Sequence, residues 1–352
     1  MGRLISYWGI YDQKASRLLR QKVQHSMEQI TQKKLYLVSG RVSEPLAREV
    51  AGLMDEELGE PNLAEFSNGE IHCKFSESIR GSDVFILQTH CHTAENSIND
   101  ALMEQLIMVD AAKRASAKRI TVVCPHYGYA RQDRKSSGRE PITAKLVANL
   151  FKVAGASRLI GVDLHSGQIQ GFFDGPVDHL TAMPVLVERL KDLTGEMAIV
   201  SPDAGRVKVA ERYAMQLGAD LAIVHKRRSH TAFNTVEAKE VVGDVDGKNC
   251  VIVDDMIDTA GTICAAAEQL KEKGAEKVWA ATTHGVFSGP AMERLNDSAI
   301  EKVLVTNTLP MPEGYNTDLI EVLSIAPLLA RTLQAVFQDT SVSEIFGGDH
   351  LS

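Results

Sequence analysis

The chain has 352 residues, a net charge of −8 and 44% apolar residues. That is long for one domain and comfortable for two, with enough apolar material for a sizeable core. An acidic balance argues against a nucleic-acid partner, which requires a basic face. No apolar run approaches membrane-spanning length and no secretory pattern opens the chain. The five cysteines (Cys73, Cys91, Cys124, Cys250, Cys264) are odd in number and never spaced as CxxC. They imply free thiols in a reducing cytoplasm, with neither a disulfide framework nor a zinc site.

The first 34 residues carry seven Lys/Arg against two Asp/Glu, a net of +5, which leaves −13 for the rest. Within them Ala15, Leu18, Leu19, Val23, Met27 and Ile30 fall at helical spacing with basic residues between. Residues 1–33 read as an extension outside the fold, and Met27 is a candidate start. A basic presequence is the alternative, but the stretch is poor in serine.

From residue 34 strands and helices alternate. Apolar runs predict strands at 35–38, 84–87, 120–124 and 159–162, with helices at 44–58, 94–115 and 142–153. The pattern restarts near Leu180, with strands at 198–200, 221–224, 251–253, 278–282 and 303–305. This predicts an α/β fold of two similar halves, each a mostly parallel sheet flanked by helices. The expected divisions are an extension (1–33), a first domain (34–179), a second domain (180–325) and a C-terminal helix and tail (326–352) folding back on the first.

In open α/β sheets ligands sit beyond the carboxyl ends of the strands. Polar groups follow five strands here: 125–135 with Arg131 and Gln132, Asp163-Leu164-His165, Ser201-Pro202-Asp203, His225-Lys226-Arg227-Arg228, and Asp254. Any one of them alone would be structural more often than functional. Together they point to a cleft. His165 beside Asp203 suits Mg²⁺ or phosphate, because Mg²⁺ takes few protein ligands and several waters. Phe66-Ser67-Asn68-Gly69-Glu70 reads as a hairpin turn, or as a platform on which a base stacks. No Walker A pattern occurs, so any ATP binds without a P-loop.

The stretch 249–273 couples a strand, two carboxylates (Asp254, Asp255), the small-residue turn Asp258-Thr259-Ala260-Gly261-Thr262 and a helix start. Such a turn aims backbone N–H groups and the helix dipole at an anion. VIVDDMIDTAGT closely resembles the phosphoribosyl-pyrophosphate loop shared by type I phosphoribosyltransferases and ribose-phosphate pyrophosphokinases. FSNGE (66–70), YARQDRKSSGREPITAK (129–145), VDLHSGQIQGFFD (162–174), SPDAGRV (201–207), HKRR (225–228) and VDDMIDTAGT (253–262) follow the order seen in the pyrophosphokinases. The resemblance runs from about Leu35 to near Phe346, and transferases lack the whole first half.

The resemblance is to the bacterial, phosphate-activated and ADP-inhibited class that assembles as hexamers. It implies a fold of two type I phosphoribosyltransferase-like domains. By the same resemblance the reaction would move the β,γ-pyrophosphoryl group of ATP to the 1-hydroxyl of ribose 5-phosphate, feeding nucleotide, histidine and tryptophan synthesis. Phe66, Asn68, Gly69, Glu70, Arg131 and Gln132 would bind ATP. His165 and Asp203 would serve Mg²⁺, two ions per site. Asp254, Asp258, Thr259, Ala260, Gly261 and Thr262 would hold ribose 5-phosphate, and Lys226 and Arg228 would be catalytic, Arg228 also touching the sugar phosphate. A phosphoribosyltransferase and a non-catalytic regulatory homologue are the rival readings. Two positions depart from the pattern: Arg206 stands where many members have a second Gly, and Ser229 where a Pro is common. Both bear on loop mobility and regulation.

Overall fold

The computed structural model describes residues 33–227 and 238–346. The first half contains β1 (Leu35–Ser39), α1 (Glu44–Met54), β2 (Leu58–Gly59), β3 (Pro61–Glu65), β4 (Ile71–Phe75), β5 (Asp83–Leu87), α2 (Ile98–Arg114), β6 (Arg119–Cys124), α3 (Thr143–Ala154), β7 (Arg158–Val162) and β8 (Val177–Leu180). The second contains α4 (Met183–Leu190), β9 (Met197–Ser201), α5 (Val207–Leu217), β10 (Asp220–Arg227), β11 (Ala238–Val242), β12 (Asn249–Ile257), α6 (Gly261–Glu272), β13 (Lys277–Gly285), α7 (Ala291–Asn296), β14 (Lys302–Thr306) and β15 (Ile320–Leu323). Helix α8 (Ala326–Gln338) closes the chain's regular structure.

The first sheet runs β2-β1-β5-β6-β7-β8 and is parallel throughout. The second runs β11-β10-β9-β12-β13-β14-β15, parallel except for the antiparallel β10–β11 edge. If the strands of each sheet are counted in chain order and β11 is set aside, both sheets read 2-1-3-4-5-6. The halves are therefore one topology used twice. Central strands such as DVFIL and RITVVC are apolar along their length because helices cover both faces. Every predicted strand lies inside an observed one. The edge strands β8 and β15 and the β3–β4 hairpin escape the apolar pattern. They are short, and none of the three presents the unbroken apolar run of the central strands.

Several runs are longer than predicted, two of them at predicted site residues. β12 continues past Val253 through Ile257, because Asp254, Met256 and Ile257 keep their ladder with Thr282, His284 and Gly285 on β13. β10 continues past Val224, so Lys226 lies in a strand opposite Lys239 and not in a turn after one.

Each sheet has apolar layers on both faces. Leu328, Leu329 and Leu333 of α8 pack with Leu46 and Val50 of α1 and with Leu37 and Phe85 of the first sheet. The second half's chain thus ends on the first half. Lys33 bonds the Phe337 carbonyl (3.0 Å) and the Asp339 carboxylate at that helix's end. The rest of the predicted extension, including Met27, lies outside the described residues.

The halves meet across strand ends. His284 Nε2 donates to the Val162 carbonyl (3.0 Å), Thr283 Oγ1 to Asp163 Oδ2 (2.6 Å) and Thr89 Oγ1 to the Thr308 carbonyl (2.6 Å). The His126 and His284 rings meet edge to face, centroids 4.9 Å apart. Burial lowers the pKa of each, and His90 beside them is lowered to about 4. Among the described residues no helix is long and apolar enough to cross a membrane.

Candidate active site

In a sheet of order 2-1-3-4-5-6 the crossovers reverse direction between the first and third strands, which opens a crevice at their carboxyl ends. In the second half this is the gap between β9 and β12. From β9 comes Ser201-Pro202-Asp203-Ala204-Gly205-Arg206, and from β12 come Asp254 and Asp255 and then the loop to α6.

Arg206 crosses that gap. Its Nε lies 3.2 Å from Asp254 Oδ1 and its Nη2 2.5 Å from Asp255 Oδ2. His165, from the end of β7 in the first half, places Nδ1 2.7 Å from Asp255 Oδ2 and 3.0 Å from Arg206 Nη2. Nδ1 thus lies between a carboxylate that only accepts and a guanidinium that only donates, and Nε2 is left over. Asp254 Oδ1 also accepts from the Asp255 backbone N–H (2.8 Å). Burial drives both carboxyls up. For Asp254 the neighbouring Asp255 charge adds to burial, and its pKa rises to about 8. For Asp255 the His165 hydrogen bond and the Arg206 charge outweigh burial and hold it well below the usual range.

The loop 258–262 follows. Its left-handed residue is Ala260 (φ 60°), and Gly261, which has no positive φ, opens α6. A non-glycine in this region costs roughly 1–2 kcal/mol. Arg294 Nη1 donates to the Thr259 carbonyl (2.9 Å) from outside the loop and so fixes that peptide's orientation. A side chain on Gly261 would come within 3.3 Å of the same Nη1. The first N–H groups of α6 are left for an anion. Thr262 stands in this first turn.

Arg131, from the segment after β6, reaches Asp258 Oδ2 with Nη1 (2.5 Å). Gln132 accepts from Thr143 Oγ1 (2.5 Å). Asp203 Oδ1 accepts from the Gly205 N–H (2.7 Å). Phe66–Glu70 turn the β3–β4 hairpin: Gly69 sits at φ 87°, its N–H donates to the Phe66 carbonyl (2.8 Å), and Asn68 Oδ1 accepts from Glu70 N–H (3.2 Å). Phe66 is 58% exposed and meets the His72 ring edge to face, an exposure that suits stacking. Arg131–Asp258 joins two predicted sets directly, and His165 meets Asp254 through Asp255 and Arg206. The described contacts of 66–70 stay within the hairpin. Arg228 and Ser229 lie outside the described residues, as does the segment after them to residue 237.

Asp255, Arg206 and Arg294 are not among the predicted site residues. Asp255 has a signal in the sequence as the second half of an acid pair. Arg206 has one only as a departure from the family pattern, and Arg294 has none, since it acts from a different helix.

Residues 35–155 match the family described as the N-terminal domain of ribose phosphate pyrophosphokinase, and residues 237–347 the phosphoribosyl synthetase-associated domain. A ribose-phosphate pyrophosphokinase of Bifidobacterium longum is 53% identical over 319 residues, 89% of this chain and 93% of that protein. One from Streptomyces coelicolor is 54% identical over 317 residues, 90% of this chain and 97% of that protein. The crystal structure of phosphoribosylpyrophosphate synthetase from Mycobacterium smegmatis superposes with a TM-score of 0.80 at 52% identity, covering 87% of this chain and all of that one.

Proposed function

The chain belongs to the ribose-phosphate pyrophosphokinase family, and we propose that it transfers the β,γ-pyrophosphoryl group of ATP to the 1-hydroxyl of D-ribose 5-phosphate. The observation that carries this is the Arg131–Asp258 contact. A residue assigned to ATP touches a residue assigned to the sugar, which supports adjoining substrates, as direct transfer requires.

The sugar 1-oxygen attacks the β-phosphorus, the bond from that phosphorus to the α,β-bridging oxygen breaks, AMP leaves, and the hydroxyl proton is lost. No covalent nucleophile is needed. Alignment and charge neutralisation suffice. The hairpin 66–70 and Arg131–Gln132 bind the nucleotide. The N–H groups opening α6 bind the 5-phosphate, and Asp254, with Asp258, takes ribose hydroxyls. Lys226 and Arg228 are the cations for the transferring group.

His165 and Asp203 fit Mg²⁺. The imidazole is oriented by Asp255 with Nε2 left over, and Asp203 is an exposed carboxylate with one oxygen uncommitted to Gly205. Among the described residues no cluster of three or more His, Cys, Asp or Glu ligands occurs. These two side chains are therefore a partial set of the kind Mg²⁺ takes, completed by phosphate oxygens and water. Bound there, Mg²⁺ would neutralise charge on the phosphates. Family membership also supports activation by inorganic phosphate, inhibition by ADP and assembly as a homohexamer. The free thiols support a cytoplasmic setting.

The test is AMP release from ATP with Mg²⁺ and phosphate, with and without ribose 5-phosphate. AMP formed only with the sugar is the expected result. Pyrophosphate consumed or released in exchange for a base, with no AMP, would assign a phosphoribosyltransferase instead. Protein inert alone but altering another synthetase's kinetics would assign a regulatory subunit.

A further inference from the structure

We infer that Arg206 is a positioning residue for the ribose: it holds Asp254 in the orientation that receives the sugar hydroxyls. The inference rests on the proposed function, in which Asp254 is the ribose-binding carboxylate.

Three observations support it. Asp254 Oδ1 is ion-paired with Arg206 Nε at 3.2 Å and accepts from the Asp255 N–H at 2.8 Å, and among the described residues its Oδ2 has no hydrogen-bond donor. The same guanidinium is ion-paired with Asp255 through Nη2, so one cation lies between two adjacent carboxylates. Two neighbouring acids largely removed from water repel each other, and the cation between them opposes that repulsion and holds Asp254 in place. Arg206 is only 17% exposed, so its charge is little screened by solvent. Arg206 precedes α5 without capping it through its side chain, so its substitution removes no helix cap.

Arg206 spreads its charge over two nitrogens that meet both carboxylates, whereas the ammonium of a lysine is a point charge that reaches one carboxylate at a time. This separates the positioning role from simple charge compensation.

The experiment is calorimetric titration of ribose 5-phosphate into protein saturated with Mg²⁺ and α,β-methylene-ATP, whose α–β bridge cannot be cleaved. Arg206→Gln is expected to raise the sugar Kd roughly tenfold or more, the loss of a charge-assisted contact. Arg206→Lys should recover only part of this, and the analogue's own Kd should change less than the sugar Kd in both, because Arg206 reaches the nucleotide side only through His165. In an Asp254→Asn background the Arg206→Gln change should add about twofold at most, because its effect runs through Asp254. Unchanged sugar affinity in either Arg206 variant would overturn the inference. So would tighter binding, which would make Arg206 a competitor for Asp254. An undiminished Arg206 effect in the Asp254→Asn background would show that it acts elsewhere. Wild-type protein that binds the analogue but no ribose 5-phosphate would overturn the functional reading itself.

Discussion

At the switch between β1 and β5 the first half has filled its crevice. Gln88 lies against Gly40, where even a Cβ would come within 2.3 Å of its amide. Glu104, 1% exposed, accepts from Gln88 Nε2 (2.8 Å), from the Arg41 backbone N–H (2.8 Å) and from Arg41 Nε (2.5 Å). At the equivalent switch between β9 and β12 an arginine also meets acids. There the acids are two, Asp254 partly exposed and Asp255 backed by a histidine from the other half. One topology holds a buried polar plug around Glu104 in one half and a partly exposed acid pair in the other. The residues assigned to ATP therefore stand away from the first half's own switch, on the β3–β4 hairpin and the segment after β6. Symmetry of fold does not carry symmetry of use.

The largest expected effect is at the open end. Lys226→Ala and Arg228→Ala should each lower kcat by roughly a hundredfold or more, as loss of a donor to developing charge does. Substrate binding without turnover should change much less, and steady-state kinetics beside calorimetry check it. Near-normal kcat with a raised KM for ATP would move these residues to nucleotide binding. Next is the plug. Glu104→Ala should cost about 2–3 kcal/mol of stability, because Arg41 keeps some access to water while Gln88 loses its acceptor. Urea denaturation measures this, and both KM values should stay unchanged. A substrate defect without a stability loss would show that the first crevice binds ligand after all.

The last effect is graded with pH and concerns the seam between the halves. His90, His126 and His284 are buried with lowered pKa values, His90 to about 4 and His284 to about 3. A histidine near 6.5 when unfolded and lower when folded binds more protons unfolded. Its contribution is complete above pH about 6.5 and is lost as pH falls below it toward the folded value. Each such group costs about 1.4 kcal/mol per pH unit in that window. The urea midpoint should therefore fall between neutrality and the folded pKa of His90. A flat midpoint there would mean that these rings gain protons without opening the seam.

Much of this is legible in the sequence, and the limits have physical causes. Apolar runs such as 84–87 and 120–124 announce strands covered on both faces, and their repetition announces two halves. The hairpin strands β3 and β4 do not show, since Pro61–Glu65 alternates partly buried and exposed positions over only five residues. The run at 251–253 marks a strand but not its end. Asp254 looks like a terminus by composition, while the ladder to β13 holds it in register to Ile257. Residue types at the strand ends point to the cleft. Their pairing does not show, because Arg206, Asp255 and His165 come from the ends of three strands and meet only when two sheets pack. Arg294 reaches the loop from a helix, 35 residues along the chain from Thr259, a contact fixed by tertiary packing alone.

The central claim is that the halves divide the substrates, with the sugar at the β9–β12 switch. Asp254→Asn tests it most directly, by calorimetry at alkaline pH, the direction in which wild-type Asp254, its pKa raised by burial and the Asp255 charge, gives up its proton. With Mg²⁺ and α,β-methylene-ATP saturating, the variant should bind ribose 5-phosphate more weakly by about 1.5–3 kcal/mol, the worth of a charge-assisted hydrogen bond. Its affinity for the analogue should be that of the wild type. Unchanged sugar affinity with weakened analogue binding would put the nucleotide at this switch and contradict the account.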